Sequence, residues 1–119
     1  MSFIEDMKRR TRKLALDIIL FCRTLPKTME YKIIAGQLIK AATSTGANYR
    51  AACRAKSTPD FINKLLIVEE EADESIYWLE LLEELNDALK PSTTKFIKEF
   101  DEILSIIVAA KKTTRNKLP

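Results

Sequence analysis

Five cations crowd one short segment: Lys8, Arg9, Arg10, Arg12 and Lys13. Side chains of this type neutralise phosphates and release counterions, so the run is a candidate for sequence-independent nucleic-acid binding. Lys111, Lys112, Arg115 and Lys117 near the C-terminus join that candidate if the first and last elements present the same end. No aromatic residue interleaves with either set, so base stacking is not indicated. A pI near 8.9 is only mildly basic. The same charges serve as well on a solvated or subunit-pairing surface.

The opposite charge is equally concentrated. Glu69, Glu70, Glu71, Asp73 and Glu74 lie within six consecutive positions. On a helix their side chains point in several directions, which does not assemble a metal site. Paired-carboxylate acid–base chemistry needs a cleft, and no cleft-forming element is evident. The chain has no histidine. That removes Ser-His and Cys-His triads, the common zinc sites, and the Glu-x-x-His pattern of di-iron bundles. Cys22 and Cys53 are isolated, without CxxC spacing. They read as buried small apolar residues in a reducing compartment. No catalytic residue, metal or cofactor is expected.

These groups must be positioned by helices. The 119 residues make one domain, and with 2 glycines and 4 prolines the chain lacks the turn residues a sheet protein needs. The first helix spans about Phe3–Leu25, with Phe3, Met7, Leu14, Ile18 and Phe21 on one face, and Pro26 stops it. The second runs from an N-cap at Thr28 to about Ala55. Its inner stripe is Ile34, Leu38, Ala41, Thr45, Asn48 and Ala52. Gly46 within it costs about 1 kcal/mol against Ala, which close packing would offset. Asn48 needs a polar partner there. The third helix starts at a Ser57 or Thr58 cap, with Pro59 and Asp60 in its first turn, and continues to about Leu89. Phe61, Leu65, Val68, Ala72, Ser75, Leu79 and Leu82 repeat at spacings of four and three, the pattern of near-parallel helix packing. Pro91 ends the next turn and Ser92 or Thr94 caps the fourth helix, whose stripe is Phe96, Phe100, Ile103, Ile107 and Ala110. Short loops make neighbours antiparallel, giving an all-α, up-down-up-down four-helix bundle over residues 1–110. Residues 111–119 read as a basic, frayed tail. No run resembles a signal peptide or a membrane span, so a cytoplasmic location with no membrane partner is expected.

Charge is sorted by helix. Residues 1–58 carry 12 Lys+Arg against 4 Asp+Glu, residues 59–90 carry 2 against 10, and residues 91–119 carry 6 against 3. At 100° per residue, Leu66, Tyr77 and Leu81 lie opposite the third helix's inner stripe, beside Glu70, Glu74 and Glu84. Ile67, Trp78 and Leu85 occupy the shoulder. A helix that is apolar on two faces is usually buried on two faces. The first helix has a basic counterpart in Arg9, Arg12, Leu16, Ile19 and Arg23. The two faces differ, so their contact is heterologous, and heterologous contacts that close make rings. A cyclic homo-oligomer is expected, with the first helix of one subunit against the third of the next. Arg50 and Arg54, one turn apart, read either as an anion contact or as partners of Glu70, Glu71 or Glu74, within or across subunits. Guanidinium–carboxylate geometry favours the second.

The block Ala47–Leu85 carries an ordered set of short motifs: Asn48, Arg54, Ser57 and Phe61, then Glu70, Glu71, Ala72, Glu74, Ser75, Tyr77, Trp78 and Leu79. In this the chain resembles the bacterial four-helix-bundle proteins related to those encoded in intervening sequences of large-subunit ribosomal RNA genes. The resemblance extends through all four helices. It implies a four-helix bundle, often assembled as a homopentameric ring, with no established enzyme activity. A relative in that group, the accessory protein of diversity-generating retroelements, works with a reverse transcriptase and binds nucleic acid. This chain differs from that basic relative in its acidic third helix. The expected role is therefore a non-enzymatic, ring-forming scaffold or accessory protein with a protein partner such as a reverse transcriptase. The alternative is an accessory factor that contacts RNA or DNA phosphates.

Overall fold

Two of the four helices begin at a serine whose side chain satisfies a free N–H group. The structure, a computed structural model, describes residues 2–118. In α1, Phe3–Cys22, the Ser2 Oγ accepts from the Glu5 N–H at 3.1 Å. Glu5 and Asp6 place negative charge at the positive end of the helix dipole. In α3, Thr58–Leu85, the cap is Ser57, whose Oγ accepts from the Asp60 N–H at 3.2 Å, and Pro59 fills the first turn. α2, Met29–Ala52, starts after Thr28 as expected, but the Thr28 hydroxyl donates to the Glu30 carboxylate at 2.7 Å instead of capping the backbone. That hydrogen bond holds the Glu30 carboxyl below its ordinary range.

The last two boundaries differ from the sequence expectation. α3 stops at Leu85, and a 3-10 turn, Asp87–Leu89, follows, held by the Asn86 Oδ1 accepting from the Ala88 N–H. α4 spans Lys90–Asn116, so Pro91 lies inside its first turn. Proline has no N–H to lose there and its φ is already helical. Neither Ser92 nor Thr94 is the cap. Thr93 and Thr94 instead donate to the Glu83 carboxylate of α3 at 3.0 and 3.3 Å. Residues 111–116, expected to fray, continue α4. Lys111 is drawn onto the bundle by Glu69 of α3 at 2.7 Å, a long-range pair that favours the added turn.

The four helices form an antiparallel up-down-up-down bundle of 52 × 24 × 21 Å. α3 packs along both α2 and α4, while α1 lies against α2 and sits diagonally from α3. Leu65, Val68, Ala72, Ser75, Leu79 and Leu82 of the expected stripe are buried, and Phe61 is half-buried. Ile62 is buried as well. Leu38, Ala41, Thr45 and Ala52 from α2 meet them, with Ile34 and Asn48 half-buried; Phe100, Ile103 and Ile107 come from α4, flanked by half-buried Phe96 and Ala110. On α1, Met7, Leu14, Ile18 and Phe21 are buried, but Phe3 is 58% exposed because it begins the helix at the open end of the bundle. Phe21 and Phe96 meet edge-to-face at 5.3 Å across α1 and α4.

Three buried hydroxyls are satisfied within their own helices. Thr11, Thr45 and Ser75 donate to the carbonyls of Met7, Ala41 and Glu71 one turn back. Asn48 finds its partner on its own helix, donating to the Ser44 carbonyl and hydroxyl at 2.9 and 2.8 Å. At Gly46, α2 lies close to Thr11 of α1. A Cβ there would lie 3.4 Å from the Thr11 Oγ1 and 3.5 Å from its carbonyl carbon. Gly36 has nothing within 4 Å of the same position.

Two substitutions separate packing from propensity. Leu79→Ala should lower unfolding free energy in denaturant titrations by about 2–5 kcal/mol, the usual cost of a core cavity. Gly36→Ala should raise it by about 1 kcal/mol, since open space leaves only the helix-propensity gain.

Candidate functional site

The run Lys8–Lys13 divides. Each helical step turns the side chain by 100°, which sets Arg10 apart from the other four cations. Arg10 turns toward α4, where its guanidinium donates to Glu99 at 2.7 and 3.1 Å and to Glu102 at 2.8 Å. The Glu99 hydrogen bond, helped by both carboxylates' charge and opposed by burial, raises the Arg10 pKa. Arg10 is therefore a clamp between the first and last helices. Lys111, the partner of Glu69, is likewise engaged. Lys112, Arg115 and Lys117 remain exposed along the last turns of α4 and beyond its end.

The other four cations face α2. Lys8, Arg9, Arg12 and Lys13 line a groove of about 830 Å³ between α1 and α2, and Arg50 and Arg54 of α2 complete it. One acid, Glu5, lies in its lining. Its floor is small: Thr11, Ala15, Thr43, Gly46 and Ala47. Lys8, Arg9 and Lys13 have partners on their own helix, Glu5 at 3.6 Å, Asp6 at 2.6 Å and Asp17 at 2.7 Å. Such exposed pairs contribute about 0.3–0.5 kcal/mol and leave much of the positive field in place. Arg12, Arg50 and Arg54 pair with no carboxylate among the described residues. The within-subunit pairing of Arg50 and Arg54 with Glu70, Glu71 or Glu74, one of the two options in the sequence, is thus absent. That the two arginines share a wall with α1 was not foreseen. The signal was there: Thr43, Ala47, Arg50 and Arg54 recur at steps of four and three on one side of α2.

The outer face of α3 carries the expected mixture. Glu70, Glu74 and Glu84 are exposed and Tyr77 is 52% exposed, while Leu66 and Leu81 are half-buried beside them. Tyr77 packs edge-to-face on Trp78 at 4.9 Å. The Trp78 Nε1 is buried and has no hydrogen-bond partner among the described residues. On α1, Leu16 is 54% exposed, Arg9, Arg12 and Arg23 are exposed, and Ile19 is half-buried. Glu71 sits at the edge of the acidic face, near Ser44 and Lys40 of α2. Burial raises its pKa, with repulsion from Glu74 and Glu70 adding to the effect.

Little else is arranged for chemistry. A cleft of about 620 Å³ opens at the end of the bundle where α1 and α3 begin, walled by Phe3, Tyr49, Cys53, Phe61, Leu65 and Ile107. No carboxylate lines it. Burial, and then the neighbouring Cys53, push the Tyr49 phenol up, away from acting as a base near neutrality. Cys22 is buried and its thiol is pushed up to about 11, which keeps it unreactive. Cys53 is half-buried, not fully buried as the sequence suggested, because it lines the cleft. Among the described residues, no group of three or more His, Cys, Asp or Glu is placed to hold a metal ion. No described helix is long and apolar enough to cross a membrane.

Residues 5–109 match the family described as 23S rRNA-intervening sequence protein. The chain is also similar to the crystal structure of a protein of unknown function from the S23 ribosomal protein family of Bacteroides thetaiotaomicron VPI-5482. The two share 30% sequence identity with a TM-score of 0.84, over 92% of this chain and 97% of that one. No curated protein matches the chain.

The position of Glu71 makes a pH prediction. Its folded-state pKa lies above the unfolded value, so the folded protein holds that proton more tightly. Ionising Glu71 therefore costs stability, fully above its folded pKa and not at all below the unfolded one. Glu71→Gln should be more stable than the parent at neutral pH, and the difference should vanish as pH falls through the carboxylate range, read from thermal unfolding across a pH series.

Proposed function

We propose that this chain, which belongs to the 23S rRNA-intervening sequence protein family, is a non-enzymatic scaffold or accessory protein that acts as a cyclic homo-oligomer and engages a protein partner through the ring. One observation carries the reading. Opposite surfaces of a single protomer are apolar with opposite charge: Leu16 among arginines on α1, and Tyr77 among glutamates on α3. Two different faces that complement each other join head to tail, and a closed head-to-tail series is a ring. Exposed apolar residues within a charged rim are the ordinary composition of such interfaces. The resemblance of the Ala47–Leu85 block to family members that form pentamers supports five subunits. A cytosolic location agrees with two free cysteines.

The nucleic-acid reading has a weaker base. Arg10 and Lys111 are held by carboxylates of neighbouring helices. What remains for phosphate is the α1–α2 groove and the exposed Lys112, Arg115 and Lys117. A scaffold reading needs no further partner for the groove cations, whereas a phosphate reading leaves the acidic α3 face without a role.

In light scattering the parent protein should run as a multiple of 13.6 kDa, the mass of one chain. Leu81→Glu and Arg12→Glu should each shift it toward the single-chain mass. A monomeric parent would end the ring reading. A salt titration against generic RNA and DNA separates the alternative. Negligible binding at low salt is expected, and binding with a steep inverse dependence on salt would favour the phosphate role instead.

A further inference from the structure

The groove between α1 and α2 has an excess of positive charge that the protomer itself leaves unused. Arg12, Arg50 and Arg54 have no carboxylate partner among the described residues, and Glu70 and Glu74 on α3 have no cationic one. The two sets do not meet within one chain: Arg12 is on α1, diagonal to α3, and on α2 it is Lys40 and Ser44, not Arg50 and Arg54, that lie beside Glu71. Their spacing nevertheless agrees. Arg50 and Arg54 are four residues apart on α2, and Glu70 and Glu74 are four apart on α3. At 1.5 Å per residue both pairs repeat at about 6 Å, so two helices laid side by side bring both guanidiniums to both carboxylates in one register.

We propose that the α1–α2 groove is the seat for α3 of a second copy of this chain, with Arg50 and Arg54 pairing Glu70 and Glu74 of that copy. The inference rests on the ring reading above and names its contact surface, adding α2 to the α1 face expected from sequence. The floor suits this occupant. Gly46, Ala47 and Thr43 keep the groove shallow, so a helix can approach closely enough for guanidinium and carboxylate to meet in bidentate pairs. Leu16 on the α1 wall then offers an apolar contact to Tyr77, which lies one turn beyond Glu74. The pairing also relieves the protomer's own strain. Glu70 and Glu74 repel Glu71 in the isolated chain, and incoming arginines offset that repulsion.

Charge reversal tests the pairing. The variants are the double Arg50→Glu/Arg54→Glu, the double Glu70→Arg/Glu74→Arg, and the quadruple that combines all four changes. All four positions are exposed, so circular dichroism should report parent-like helix content in each. In multi-angle light scattering, each double variant should lose the oligomer and run near 13.6 kDa, and the quadruple should regain the parent mass. If the doubles keep the parent's oligomeric mass, the proposed contact is wrong while the ring reading survives. If the doubles dissociate and the quadruple does not reassemble, the two sets do not face each other and the pairing is overturned. A monomeric parent removes both.

Discussion

Burial of one stripe on α3 fixes the rotation of that helix, and the surfaces of the molecule follow from that rotation. Leu65, Val68, Ala72, Leu79 and Leu82 are packed between α2 and α4, so α3 cannot turn without exposing them. Burial of each leucine or valine here contributes about 1.5–3 kcal/mol. Whatever lies 180° away on the helix must then point outward. Here that is a row of glutamates with Leu66, Tyr77 and Leu81 among them. A residue such as Tyr77 does not help the isolated bundle. It is held at the surface because the opposite side of α3 is worth more buried.

The same logic divides the basic residues of α1. Met7, Leu14 and Ile18 anchor the helix, which sends Arg10 toward α4 and Arg12 toward α2. The first of these positions is satisfied within the chain by Glu99 and Glu102, and the second is not. The contact between Gly46 and Thr11 matters here as well. Both residues line the groove that also holds Arg50 and Arg54. The unpartnered side chains are on the surface, and the core is complete apart from the Trp78 N–H.

Most of the architecture was legible from periodicity. The spacing of Leu65 through Leu82 identified α3 and its inner face, and the small residues around Gly46 marked a close approach. What could not be read were features decided by distant partners. The end of α4 depends on Lys111 meeting Glu69, and the fate of Arg10 depends on two glutamates some ninety residues away. The helix start at Lys90 was misplaced because proline serves equally as a terminator and as a first-turn residue. Arg50 and Arg54 stand out as a pair in the sequence, but a linear sequence does not say which acids lie at their level. That Lys40 and Ser44, rather than these arginines, lie beside Glu71 is a property of the fold.

The central claim is that the acidic face of α3 touches the α1–α2 groove of a different copy. Zero-length amine–carboxylate cross-linking of a mixture of light and heavy isotope-labelled chains measures this directly. Lys8 and Lys13 at the groove, with Glu70 and Glu74 on α3, are the reactive groups. The account predicts cross-linked peptides joining these residues with mixed light–heavy labelling. Cross-links absent from these positions while other surfaces join light to heavy chains would contradict it.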